Sequence, residues 1–195
     1  LASIITAGQL PFSMECVKLQ QVGASLGEKS LSTSLMAGLI GIILVMVFMI
    51  AVYRVMGVVS CVALTMYTAL FCIILSVGKI NLSLPGIAGI ILTVGMAVDA
   101  NVLIYERMRE EQGYGKSVLN TIEAGFENAS SAIFDSNLTS LFAGLILIWL
   151  GNGPVRGFGV TTCLGLVTSV FTAVYVTKVL ILAWAKLTKP QRINV

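Results

Sequence analysis

The chain has 195 residues, 57% of them hydrophobic and 11% charged, with a net charge of +3 and no histidine. Soluble domains carry about 45–50% apolar and about 25% charged residues, so this sequence cannot clothe a globule in polar surface, and its solvent is largely lipid. The basic residues form no run, which excludes nucleic acid as a partner, and without histidine any proton chemistry must use carboxylates, Lys, Tyr or water.

Residues 1–30 are polar and mixed. Short β-like stretches at 3–6 and 16–20, on either side of Leu10-Pro11, predict the remnant of an extracytoplasmic domain and its linker. With Leu1 first and no basic region before an apolar stretch, the chain reads as a segment of a longer one without a signal peptide. Five apolar segments follow, at about 35–53, 55–77, 84–105, 133–150 and 158–184. Each reaches roughly the 20 helical residues that a hydrocarbon core of about 30 Å requires. None alternates like a barrel strand, and lipid admits only helices or closed barrels. The predicted fold is therefore an all-α polytopic membrane protein: five transmembrane helices within residues 31–186, then a cytoplasmic tail, 187–195. The last segment is over-long and is expected to end near Lys178, whose stem can snorkel to the interface.

Lys and Arg set the orientation. With the N-terminus outside, the inner side collects Arg54, Arg107, Arg109, Lys116, Lys178, Lys186, Lys189 and Arg192, against Lys18, Lys29, Lys79 and Arg156 outside. Between the third and fourth segments, Glu106 to Glu111 reads as a solvated helical extension with i,i+4 pairs, broken by Gln112-Gly113-Tyr114-Gly115. Val118, Leu119, Ile122 and Phe126 then recur at helical spacing opposite Asn120, Glu123 and Glu127, predicting an amphipathic helix over about 116–129 that lies along the inner surface. Gly151-Asn152-Gly153-Pro154 is a tight outer turn, followed by Arg156-Gly157.

One residue stands out chemically. Asp99 lies about 15 residues into the third segment and seven before Glu106, roughly 10 Å inside its inner edge. A carboxylate at that depth costs a few kcal/mol, so it must face the bundle interior, be neutralised by protonation, or pair. It is either a functional proton carrier or a structural residue bonded to a neighbouring helix. Gly95, one turn earlier, would let another helix approach. Asp135 and Asn137 sit near the inner end of the fourth segment, where Asp135 is equally an interfacial helix cap. If the third and fourth helices pack side by side, Asp99, Asn101, Asp135 and Asn137 would line one polar path. Gly153, Pro154, Arg156 and Gly157 are the candidates for a packing or hinge role on the outer side, Arg156 being equally a solvated loop charge at the interface, and helix packing accounts for most of the other glycines. Cys61, Cys72 and Cys163 lie in apolar runs as small hydrophobes, and with Cys16 they form no CxxC pair, so no metal or cofactor is expected. Gly115-Lys116-Ser117 lacks the first glycine of a P-loop, and no hydrolase motif is present, so the chain is not read as an enzyme.

The run Gly95-Met96-Ala97-Val98-Asp99-Ala100-Asn101, continuing through Tyr105-Glu106-Arg107 to Glu110-Glu111, resembles the fourth-helix signature of the SecD/SecF family within the RND superfamily. So do Ala7-Gly8-Gln9-Leu10-Pro11, Val22-Gly23-Ala24-Ser25-Leu26-Gly27, Tyr53-Arg54, Ile133 to Thr139, and Gly153 to Phe158, in the family's order. The family commonly has Pro at Ala24 and Ala at Ser136. The resemblance makes the five segments the family's second to sixth helices. It implies a subunit of the Sec export machinery in the bacterial inner membrane, driven by the proton motive force. Its partners would be SecF, the SecYEG translocon, YajC and the unfolded polypeptide. Asp99 would be the proton-handling aspartate, with the rest of the relay on the SecF half. The rival readings are a fragment of a small-molecule RND exporter and a purely structural assembly subunit.

Overall fold

The structure is a computed structural model that describes residues 24–80 and 82–188. The expected strands at 3–6 and 16–20, Cys16, Lys18, and the tail with Lys189 and Arg192 lie outside those residues. Every described element is helical: α1 (Ala24–Val77), α2 (Leu84–Gly113), α3 (Val118–Leu150), α4 (Pro154–Phe171), a π-helical turn (Thr172–Val176) and α5 (Thr177–Thr188). Among the described residues, four stretches are long and apolar enough to cross a membrane: Lys29–Val77, Leu84–Gly113, Val118–Leu150 and Pro154–Thr188.

The first stretch is 49 residues long, which a straight helix would extend to more than twice the hydrocarbon thickness. It does not run straight. Arg54 leaves the helical region at φ 47°, ψ −109°, and the chain folds back on itself there. Two close approaches fix the reversal. A side chain at Gly57 would come within 2.1 Å of the Met49 carbonyl oxygen, and Cys61 Sγ lies 3.7 Å from the Met46 carbonyl oxygen. Residues 8 and 15 apart would be separated by about 12 and 22 Å along an unbroken helix. The apolar arms 24–53 and 55–77 therefore form a hairpin, with Gly57 leaving room for the returning backbone.

The hairpin docks on α2 at its turn. Tyr53 is buried and donates its hydroxyl to Glu106 Oε1 at 3.0 Å, its ring 5.5 Å from that of Tyr105. Ser60 donates to the Tyr105 hydroxyl oxygen at 2.8 Å. The second arm continues into the core through Tyr67, whose hydroxyl reaches the Gly165 carbonyl oxygen, and Phe71. The first arm presents Leu39, Ile43, Leu44 and Val47 outward, as a lipid-facing helix should.

At the centre, α2 and α4 meet through small residues. Side chains added at Gly89 and Gly165 would lie 2.5 Å from the hydroxyl oxygens of Thr161 and Thr93, and one at Gly157 would lie 2.5 Å from Ser83 Oγ. Ser83 caps α2, accepting from the Gly86 N–H, and donates to the Pro154 carbonyl oxygen. The same close approach brings α3 to α4, where a side chain at Gly144 would lie 2.5 Å from Cys163 Sγ.

Two expectations about the helices are corrected. The stretch 116–129 is not a separate surface helix, because Val118–Leu150 runs without a break. Its amphipathic part packs on α2, Gly125 leaving room for Met108. Nor does the last helix end near Lys178: it continues to Thr188, with Lys178 set over the Phe126 ring at 5.8 Å. The Glu106–Glu111 stretch is helical as expected, but its ion pairs, Arg107–Glu110 and Arg109–Glu106, are spaced i,i+3. Two of its carboxylates also hold neighbours: Glu106 binds Tyr53, and Glu111 binds Lys116 and accepts from Asn128.

The α2–α4 contact is tight enough to test. Gly165→Ala should destabilise the protein by about 1–3 kcal/mol through overpacking against Thr93, as read from thermal unfolding in detergent, and Thr93→Gly should restore part of the loss. Gly41→Ala, where nothing lies within 4 Å, should be neutral or better.

Candidate functional site

Helical geometry separates the four polar residues expected to share a path. Residues two apart on an α-helix point about 200° from each other, so Asp99 and Asn101 leave α2 on opposite faces. Asn101 is the one that points inward. It is 3% exposed, and its Oδ1 accepts a 2.9 Å hydrogen bond from the Thr177 hydroxyl, the first residue after the π-helical turn. Asp99 points outward and is exposed. Of the three ways expected to accommodate it, facing the interior of this chain's own bundle is therefore not the one taken: the carboxylate sits on the open face of α2. Gly95 lies on that face as well, with nothing within 4 Å of where its side chain would begin.

The same offset divides Asp135 from Asn137. Asn137 faces α2 and lines a groove with Asp99, Ser136 and Ser140, floored by Met96, Ala100, Leu103 and Ile133. Asp135 is exposed and borders a neighbouring apolar groove against Leu166, Val167 and Val170 of α4, which Asn137 also touches. The structure thus joins Asp99 with Asn137, places Asp135 beside them in the next groove, and puts Asn101 on the far side of α2.

The groove beside Asp99 has a definite hydrogen-bonding character. Ser136 donates to the Ile133 carbonyl oxygen, Ser140 to that of Ser136, and Asn137 Nδ2 to that of Ile133 at 2.7 Å. The two serine hydroxyls are thereby spent on their own helix and leave their oxygens to the groove as acceptors, while Asn137 keeps a second Nδ2 hydrogen beside its side-chain oxygen. Among the described residues nothing pairs with the Asp99 carboxylate. The site is an acceptor-rich cleft built to receive something that donates: a proton, a water chain or a cationic side chain.

The expected hinge residues divide too. Gly153 holds a positive φ of 52° as it starts α4, with Pro154 in the first turn, and Gly157 packs on Ser83. Arg156 is exposed. Sequence reasoning missed Ser136, Ser140 and Thr177. Ser136 and Ser140 carry a legible signal, since their i,i+4 spacing puts both on the face of α3 that meets α2. Thr177 carries none, because its position depends on the π-helical turn shifting the register of α5.

Asp99 makes no hydrogen bond or ion pair among the described residues, so Asp99→Asn should change thermal stability in detergent by less than about 0.5 kcal/mol. Asn101→Leu, which breaks a buried hydrogen bond, should cost about 1 kcal/mol or more.

Comparison with known proteins gives one consistent answer. The family described as "Protein export membrane protein SecD/SecF, C-terminal" matches residues 5–187. A protein translocase subunit SecD from Calditerrivibrio nitroreducens is 45% identical over 182 residues, covering 93% of this chain and 35% of its own length. That of Rhodobacter capsulatus is 46% identical over 194 residues, covering 99% of this chain and 35% of its own length. Among solved structures, SecDF from Thermus thermophilus superposes with a TM-score of 0.85 at 35% identity, covering 87% of this chain and 24% of that one. SecDF in a super-membrane-facing form gives 0.78 at 36% identity, covering 85% and 23%. The chain spans little more than a third of the length of these SecD relatives.

Proposed function

The chain belongs to the SecD/SecF protein-export membrane family, and on that premise we propose that it is the membrane-domain part of a SecD-type Sec subunit that uses the proton motive force to complete polypeptide export. The observation that carries this reading is the Asp99 groove: a carboxylate at membrane depth, flanked by acceptors and open on one side. A carboxylate so placed can be loaded with a proton from one side of the membrane and emptied to the other. One charge moved through 100 mV is worth about 2.3 kcal/mol, enough to bias a two-state change by tens of fold.

The relay in this proposal comprises Asp99 and Asn137, with Asp135 at the adjoining groove and Asn101 on the inner face of α2. The missing donor is a cationic side chain on SecF, which covers the open face of α2 at Gly95 and Asp99. The further partners are the SecYEG translocon, YajC and the emerging unfolded polypeptide. The reversal at Arg54 supports five crossings in place of four, the family's second to sixth helices. The N-terminal side lies outside, and the ends bearing Arg54, Lys116 and Lys186 face the cytoplasm of a bacterial inner membrane. In this reading the outer turn at Gly153-Pro154, with Arg156 and Gly157, is the pivot on which α4 moves against α2.

The test is Asp99→Asn in the intact protein, with reporter export followed in native membrane vesicles with and without a proton gradient. Loss of the gradient-dependent fraction, with the protein still present in the membrane, is expected. Unchanged gradient dependence would sink the proposal and favour a structural assembly subunit. Topology is checked separately by single cysteines, in a cysteine-free background, labelled with a membrane-impermeant maleimide in intact cells. Arg156→Cys should react from outside and Arg54→Cys should not.

A further inference from the structure

The Asp99 groove lies on one face of α2, and the buried bond from Asn101 to Thr177 lies on the other. Thr177 is fully buried and sits where the π-helical turn ends. Its hydroxyl has one proton and two acceptors in reach: Asn101 Oδ1 at 2.9 Å and the Thr172 carbonyl oxygen at 3.3 Å. That carbonyl already receives the Thr177 backbone N–H, the wide bond that defines the π turn. The surroundings offer few other polar partners: nearby Thr168 and Thr172 donate to carbonyl oxygens of their own helix.

We propose that Thr177 is a positioning residue for Asp99, acting through Asn101 as a two-position latch on the rotation of α2. Because Asp99 and Asn101 project about 200° apart from one rigid helix, α2 cannot turn Asp99 toward or away from Ser136, Asn137 and Ser140 without dragging Asn101 past Thr177. A turn of about 30° carries a side-chain tip about 6 Å from the axis through about 3 Å, enough to break the bond. The hydroxyl then swings to the Thr172 carbonyl oxygen, so the buried donor is satisfied in both settings and only the Asn101 side-chain oxygen gives up its partner, which makes the bonded setting the favoured one. Bistable elements of this kind turn a local charge change into a discrete shift.

The inference rests on Asp99 being the proton-handling group, and the test separates the two. In the intact protein in native vesicles, gradient-dependent export is measured per unit of protein in the membrane for Thr177→Val, Thr177→Ser, Asn101→Ala, the Thr177→Val/Asn101→Ala double variant and Asp99→Asn. Thr177→Val should lower the gradient-dependent fraction about fivefold, the equivalent of one hydrogen bond, at unchanged protein level. Thr177→Ser should restore it, and the double variant should be no worse than the poorer single one, as coupled residues require. Wild-type behaviour of Thr177→Val beside an inactive Asp99→Asn overturns the latch alone. So does failure of Ser to rescue, or full additivity in the double variant. Unaltered gradient dependence in Asp99→Asn overturns the proton reading and the latch together.

Discussion

The contact on which the rest depends is the seam between α2 and α4, where glycine on one helix meets threonine on the other. Lipid tails are as apolar as leucine, so burying hydrocarbon gives membrane helices little reason to associate, and close packing must supply it. Gly89 against Thr161 and Gly165 against Thr93 bring two backbones together at a distance no larger side chain would permit. With α4 held there, Cys163 meets Gly144 and draws in α3, while Tyr67 reaches Gly165 and draws in the hairpin. The groove beside Asp99 exists because α2 and α3 are held by this common neighbour.

The way the polar residues are distributed follows from that seam. Among the buried hydroxyls of α4 and the π turn, Thr161, Thr168 and Thr172 donate to carbonyls of their own helix and so act as small packing groups, while those of Thr162 and Ser169 have no partner among the described residues. Asn101, on the same side of α2, is the exception, since its partner belongs to a different element. Opposite it, α2 shows Gly95 and Asp99 to the outside. One helix thus carries a closed polar contact and an open one, back to back, and being rigid it makes the two settings interdependent.

Much of the fold could be read in advance because lipid imposes a strong length rule. The apolar runs mark the crossings, and Arg54, the one charge between Leu35 and Val77, marks the place where the chain turns back. α2 begins at Leu84, where its apolar run was expected to begin, whereas α4 begins at Pro154, four residues ahead of the run expected from 158. Boundaries inside helices were harder. Ser130 and Ser131 look like a break between an amphipathic and an apolar stretch, yet the helix continues because Gly125 and Phe126 find tertiary partners on α2 and α5. Depth along the membrane put Asp99, Asn101, Asp135 and Asn137 in the same half of the bundle, but depth says nothing of direction, and a 3.6-residue period turns residues at i and i+2 to opposite faces. The π turn had no readable signal, as one extra residue in a helical turn leaves the apolar pattern nearly unchanged.

The outward aim of Asp99 also bears on how the proposed pairing with SecF would form. Alone in a bilayer, a charged side chain at that depth carries about 2.5–3.5 kcal/mol of unfavourable free energy. A neighbouring helix that covers the open face and offers a donor would recover that cost, a gain of roughly a hundredfold in association. An unpaired chain is thereby held in a state that favours finding its partner and would be visible, by its exposed charge, to whatever removes orphan subunits. In the proposed pairing with SecF, the group proposed to carry protons would thus also act earlier, in bringing the two together.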